Sequence, residues 1–133
     1  MTWIQILYTY AVMAIAFLAV DLVWLGFIGK AFYQNQIGHL MKASPNWSAA
    51  LIFYALFLVG VMIFCVLPSV EKNSLSHAIL YGALFGFFTY MTYELTNLAV
   101  LKSWPFWIVP VDIIWGVALT SIVSTIGFLI ARI

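Results

Sequence analysis

The chain has 133 residues, of which 66% are hydrophobic, 18% aromatic and only 7% charged, far from the roughly one-quarter charged usage of soluble domains, so a soluble fold is excluded. Four acids and five bases give a formal net charge of +1, too few and too scattered for a phosphate-binding stripe or an acidic tail, which excludes nucleic acid as a partner. The single cysteine, Cys65, closes no intramolecular disulfide, has no second thiol for a metal pair, and reads as core packing.

Charge-free runs set the organisation. From Thr2 to Phe27 the only charge is Asp21, and residues 43–70, 73–93 and 113–131 carry none. About 20 apolar residues cover a hydrocarbon core of roughly 30 Å, so the pattern predicts helices near residues 3–28, 47–67, 76–101 and 106–130. A secretory leader is the competing reading of the first run, but its start lacks Lys or Arg and its apolar stretch is too long, so it is read as a true span. The expected fold is an all-α integral membrane bundle of four transmembrane helices, one polytopic domain over residues 1–133.

The first link, residues 29–46, is long and carries Lys30, Asn35, His39, Lys42 and Pro45, whereas residues 68–75 and 102–105 make short links that force antiparallel neighbours. Within the first link Phe32, Tyr33, Ile37, Leu40 and Met41 recur with helical spacing, which fits either an interfacial amphipathic helix or an ordinary loop. Trp3, Trp47, Trp104 and Trp107 fall at helix ends, where the bilayer interface favours indoles, and they read as anchors without chemistry. Lys30, Lys42 and Lys102 mark one face against Lys72 and Arg132 on the other, a three-to-two margin that favours the three-lysine face in the cytoplasm and leaves dual topology open.

Three carboxylates stand out. An acid at the centre of a membrane helix costs about 2.5 to 3.5 kcal/mol on insertion scales, so each needs a partner, a water-filled cavity or a function. Asp21 lies nine positions before Lys30, Glu94 eight before Lys102 and Asp112 ten after it. At about 1.5 Å per residue, all three sit at one depth, roughly 12 to 15 Å from the basic markers. Glu94 continues a ridge of Gly82, Gly86 and Tyr90, and Asp112 begins one of Gly116, Thr120 and Ser124, both suited to close helix contact and to pairing with a second copy in a homodimer. The segments around Asp21 and Asp112 share the pattern Val-Asp-x-x-Trp, ending in Trp24 and Trp115, on helices expected to run in opposite directions. Such a likeness arises from a degenerate inverted repeat or from chance.

The expected cluster is therefore Asp21, Trp24, Tyr90, Glu94, Asn97, Asp112 and Trp115. On an architectural reading, indole and hydroxyl donors, with Thr92, Tyr93 and Thr96 among them, satisfy the acids and simply bind the bundle together. On a functional reading, three such groups in low dielectric do not all carry charge without a counter-ion, so the cluster takes up a proton or a cation. His77 opens the third long helix on the opposite face as a solvated end residue, whereas His39 lies on the acid side as the loop contributor. One histidine with two or three carboxylates suits a divalent metal, but no His-x-x-His spacing supports one and no cofactor motif occurs.

The polar residues fall in a recognisable order. Asp21-x-x-Trp24-Leu25, Phe32-Tyr33, Gly38-His39-Leu40, Asn46-Trp47-x-Ala49-Ala50 and Phe53-Tyr54, followed by Tyr90-x-x-Tyr93-Glu94-Leu95-Thr96-Asn97, Lys102-x-Trp104-Pro105 and Asp112-x-x-Trp115-Gly116, resemble the bacterial membrane family called domain of unknown function 2177. The resemblance covers nearly the whole chain and implies a small polytopic protein of the bacterial inner membrane, with no established activity to carry over. Aspartate is frequent in that family at the position of Glu94, so a carboxylate is implied there and its side-chain length is not.

Two functional classes follow, with the lipid bilayer as surroundings for both. One is a small transporter or ligand-binding membrane protein whose acids hold a proton, a small cation or a lipid-like ligand. The other is a membrane-embedded lipid-modifying enzyme with one acid as general base, although no Cys or Ser stands at helical spacing from a His to make a nucleophile pair. A structural or accessory subunit is the third and plainest class.

Overall fold

Thr2 and Gln5 close a reciprocal capping box, Thr2 N donating to Gln5 Oε1 at 2.8 Å and Gln5 N to Thr2 Oγ1 at 3.2 Å, and so set the start of the first helix. The computed structural model describes residues 1–133 and is helical throughout, with no strand. Helix α1 runs over Trp3–Ile28, its last five residues, Trp24–Ile28, wound as a π turn. Gly29 follows, beneath the rings of Trp24 and Tyr33, each 3.1 Å from where a Cβ would stand. A larger residue there would hold apart two rings that the site brings together.

The first link contains a helix, α2, over Lys30–Ile37, and ends in the 3₁₀ turn Gly38–Leu40. Only Tyr33 of α2 is buried, packed with Ile108 and Val109. Helix α3 occupies Trp47–Glu71, with Asn46 Oδ1 accepting from Ala49 N at 3.1 Å as its cap. It continues one turn beyond the boundary that Pro68 suggests. A π turn at Met62–Val66 precedes the proline and brings it to the start of a fresh α segment, Leu67–Glu71, where its missing N–H is tolerated.

Helix α4, Leu75–Val100, is capped by Ser74, whose hydroxyl accepts from His77 N at 3.1 Å. Helix α5, Ile108–Ala131, carries Pro110 in its first turn, where the backbone N–H has no intrahelical partner to lose. Three of these helices, α1, α3 and α5, are long and apolar enough to cross a membrane by length and composition. Helix α4 is as long but is diluted by His77, Thr92, Glu94 and Asn97.

Helix α5 is the axis of the molecule. Its buried residues run from Ile108 to Ala131, and Leu119 and Val123 meet Met13 and Phe17 of α1 and Val61 and Val66 of α3 in one core. Lipid is as apolar as leucine, so helices in a bilayer associate through close contact rather than water exclusion. The α4–α5 seam has that character. A Cβ on Gly86 would overlap the Gly116 carbonyl, one on Gly116 would overlap the Tyr90 ring, and one on Gly82 would lie 2.7 Å from Ser124 Cβ. Ser124 Oγ and Ser121 Oγ add hydrogen bonds to the Ala78 and Ile79 carbonyls at 2.8 and 3.0 Å. The two small-residue ridges are therefore taken up by each other within one chain, not left open for a second copy.

Candidate functional site

The three acids are all withdrawn from the surface: Asp21 and Asp112 are 8% exposed and Glu94 1%. Each receives one ring donor. Trp115 Nε1 donates to Asp21 Oδ1 at 3.2 Å, Tyr33 Oη to Asp112 Oδ1 at 2.8 Å, and Trp104 Nε1 to Glu94 Oε1 at 3.0 Å. Trp24 Nε1 in turn donates to Tyr33 Oη at 3.1 Å, so Tyr33 passes the indole's bond on to Asp112. Burial and the neighbouring Asp112 push the Tyr33 phenol well above its ordinary value, which keeps it an O–H donor.

The acids form a row with Asp112 in the middle, Asp21 on one side of it and Glu94 on the other. No three His, Cys, Asp or Glu side chains gather in a group that could hold a metal.

Beside the row lies a cavity of about 410 Å³ bounded by all four long helices. Asp21 and Leu25 enter it from α1, Phe53, Tyr54 and Phe57 from α3, Thr89, Tyr90 and Tyr93 from α4, and Asp112 and Trp115 from α5. The Tyr54 hydroxyl stands beside the Asp21 carboxyl, while Thr89 Oγ1 turns back to the Phe85 carbonyl at 2.8 Å. No lysine, arginine or histidine reaches the cavity. Its chemistry is thus two acids and six aromatic rings.

The expected residues are placed unequally. Asp21, Tyr90, Asp112 and Trp115 line the cavity, and Trp24 stacks on Trp115 just outside it. Glu94 touches the row but not the cavity, and Asn97 is drawn to the Tyr93 hydroxyl instead. His39 stands exposed in the turn Gly38–Leu40, six residues beyond the inward-facing Tyr33 and off that stripe, so the folded-back link does not carry it to the acids. Trp104 is not a mere anchor: it is the N–H donor to Glu94, whereas Trp3, Trp47 and Trp107 are exposed. Tyr33 and Tyr54 join the site from outside the expected set. Tyr33 had one signal in the sequence, a hydroxyl on the apolar stripe of the first link.

A family model described as "Predicted membrane protein (DUF2177)" matches residues 6–129. The chain belongs to the DUF2177 family. Its matched span contains every acid, indole and hydroxyl of the site just described. This DUF2177 protein matches no curated protein and no solved structure.

Proposed function

We propose that this DUF2177 member is a bacterial inner-membrane protein of four spans that binds a proton or small cation at the acid-lined cavity. Asp21 and Asp112 are the binding carboxylates, with Glu94 next to Asp112. The observation that carries the reading is the cavity itself: two buried carboxyls border about 410 Å³ of space with no basic side chain to neutralise them. The donors that reach them, Trp115 and Tyr54 at Asp21 and Tyr33 at Asp112, are neutral and leave the negative charge without a counter-ion.

Support for a fourth span comes from α4. Its 26 residues reach about 39 Å at 1.5 Å per residue, beyond the roughly 30 Å of a hydrocarbon core. It lies against α5 along the glycine seam, and its outward residues Ile79, Leu84, Phe88 and Leu95 are exposed and apolar, as a lipid-facing side requires. With both ridges occupied inside the chain, one copy is the binding unit. On this reading α2 lies at the cytoplasmic interface beside Lys30, Lys42 and Lys102.

Trp115 borders the cavity, so its fluorescence reports on occupancy. The purified protein in neutral detergent is titrated with protons, sodium and potassium at constant ionic strength, alongside Asp21→Asn and Asp112→Asn. A saturable response in wild type that both variants lose, with folding intact, supports the reading. Equal responses in all three proteins would leave the acids as helix joints.

A further inference from the structure

A proton occupies no volume, and a bare inorganic cation needs about six oxygen ligands. Neither makes use of the cavity's aromatic walls. Its polar groups are two carboxyls, three tyrosine hydroxyls and a Thr89 hydroxyl already committed to the Phe85 and Gly86 carbonyls. What the walls offer in quantity is aromatic face: Phe53, Tyr54, Phe57, Tyr90, Tyr93 and Trp115. Aromatic faces attract cations through the ring quadrupole, best when the cation is bulky and weakly hydrated, and cages of such rings suit alkylated ammonium groups. Buried carboxyls add the charge that a neutral apolar guest would have no use for, and they repel an anion. The volume, about 410 Å³, falls within the roughly 300–1,000 Å³ of small-molecule pockets.

The cavity also has a side entrance. The backbones of α3 and α4 come together along Met62–Val66 and Leu67–Glu71 and part towards Trp47. On the parted side Phe53 is 48% and Tyr93 56% exposed although both line the cavity, which opens it sideways between the two helices. A guest with a charged head and an alkyl tail fits this shape, its head between the acids and its tail running out between α3 and α4.

We propose that the occupant is an organic ammonium ion, its alkylated nitrogen held between Asp21 and Asp112 and wrapped by the rings of Tyr54, Tyr90 and Trp115. The assignment rests on the cation-binding reading above and names its guest. The ammonium group reaches the site either as a free small cation or as the head of a membrane lipid; the recognising chemistry is the same.

The test is titration of the full chain in neutral maltoside micelles with choline and with its uncharged tert-butyl isostere, following tryptophan fluorescence. Saturable binding of choline at least about tenfold tighter than the isostere is expected, from the strength of desolvated cation–π contacts. Asp21→Asn and Asp112→Asn should each abolish the preference, and Tyr54→Leu should weaken choline binding about tenfold with the helical circular-dichroism spectrum retained. Tyr54 is the ring of choice because Tyr90 is seated on Gly116 and its loss disturbs the helix seam. Doping the micelles with phosphatidylcholine and, separately, phosphatidylglycerol separates the sources. Competition by phosphatidylcholine alone marks a lipid head, and competition by neither marks a free cation; either supports the proposal. Equal affinity for choline and the isostere overturns it. A response to protons or alkali ions without any to choline also overturns it while leaving the cation reading standing, and loss of every response removes both.

Discussion

The indoles of Trp24 and Trp115 lie stacked with centroids 4.6 Å apart and planes 11° from parallel. They belong to two Val-Asp-x-x-Trp segments, and each sends its N–H to the acid of the other segment: Trp115 to Asp21 directly, Trp24 to Asp112 through Tyr33. Two short identical patterns on antiparallel helices thus make a reciprocal clasp.

Tyr33 is the one relay in that clasp. Tyr33→Phe leaves the Trp24 N–H and one Asp112 oxygen without a partner, so a loss of about 1–3 kcal/mol is expected, read from denaturant unfolding in micelles. The phenol's folded-state value is raised above its ordinary 10.0. The unfolded chain therefore gives up this proton first as pH rises past about 10, and stability falls there. The alkaline fall should be shallower in Tyr33→Phe than in wild type. Identical alkaline profiles would mean that the phenol is not held by the clasp.

The glycines of the α4–α5 seam should separate sharply from a glycine in open space. Gly86→Ala places a methyl against the Gly116 carbonyl and should cost about 1–3 kcal/mol or more. Nothing lies within 4 Å of a Cβ at Gly26, so Gly26→Ala should be neutral or stabilising by up to about 1 kcal/mol. Thermal melting of the two variants side by side decides it, and equal melting temperatures would mean that the seam is looser than described.

Glu94 depends on a neighbour only ten residues away, the indole of Trp104. Trp104→Phe should destabilise the protein by about 1–3 kcal/mol, because it leaves a buried carboxyl without its donor. Glu94→Gln keeps an accepting oxygen and should cost less. The double variant should lose less than the sum of the two, with a coupling of about 0.5–3 kcal/mol. Strict additivity would dissociate the two side chains energetically.

Four spans place both chain ends on one side of the membrane, whereas three spans place them on opposite sides. Compartment-sensitive reporters fused to each end should both report the periplasmic side, opposite Lys30, Lys42 and Lys102. Opposite signals would remove α4 from the bilayer.

The depth and helical phase of the acids were legible in the sequence, because a charge within an apolar run is conspicuous and 3.6-residue spacing orders the faces. The glycine seam was legible for the same reason, although its partner was not: Gly82 and Gly86 look equally suited to a second copy until α5 is seen lying on them. Tyr33 and Trp104 were harder. Whether a link folds back over the bundle depends on long-range packing against Ile108 and Val109, which no local pattern encodes. The extra turn of α3 past Pro68 was hidden as well, since it depends on a π turn five residues long within an unbroken apolar run.

The clasp joins residues 94 and 79 positions apart, while Glu94 finds its indole ten positions on. Translation runs from α1 to α5, so a growing chain holds Asp21 and Tyr33 in place long before their counterparts on α5 exist. Until α5 arrives, Asp21 and the Trp24–Tyr33 pair are unanswered polar groups beside lipid, which favours keeping the early helices near the insertion machinery. Arrival of α5 closes the clasp, fills the core and completes the cavity in one event. Biogenesis of this protein should therefore have a late checkpoint: chains that end before α5 should be removed by membrane proteases, and complete ones should survive.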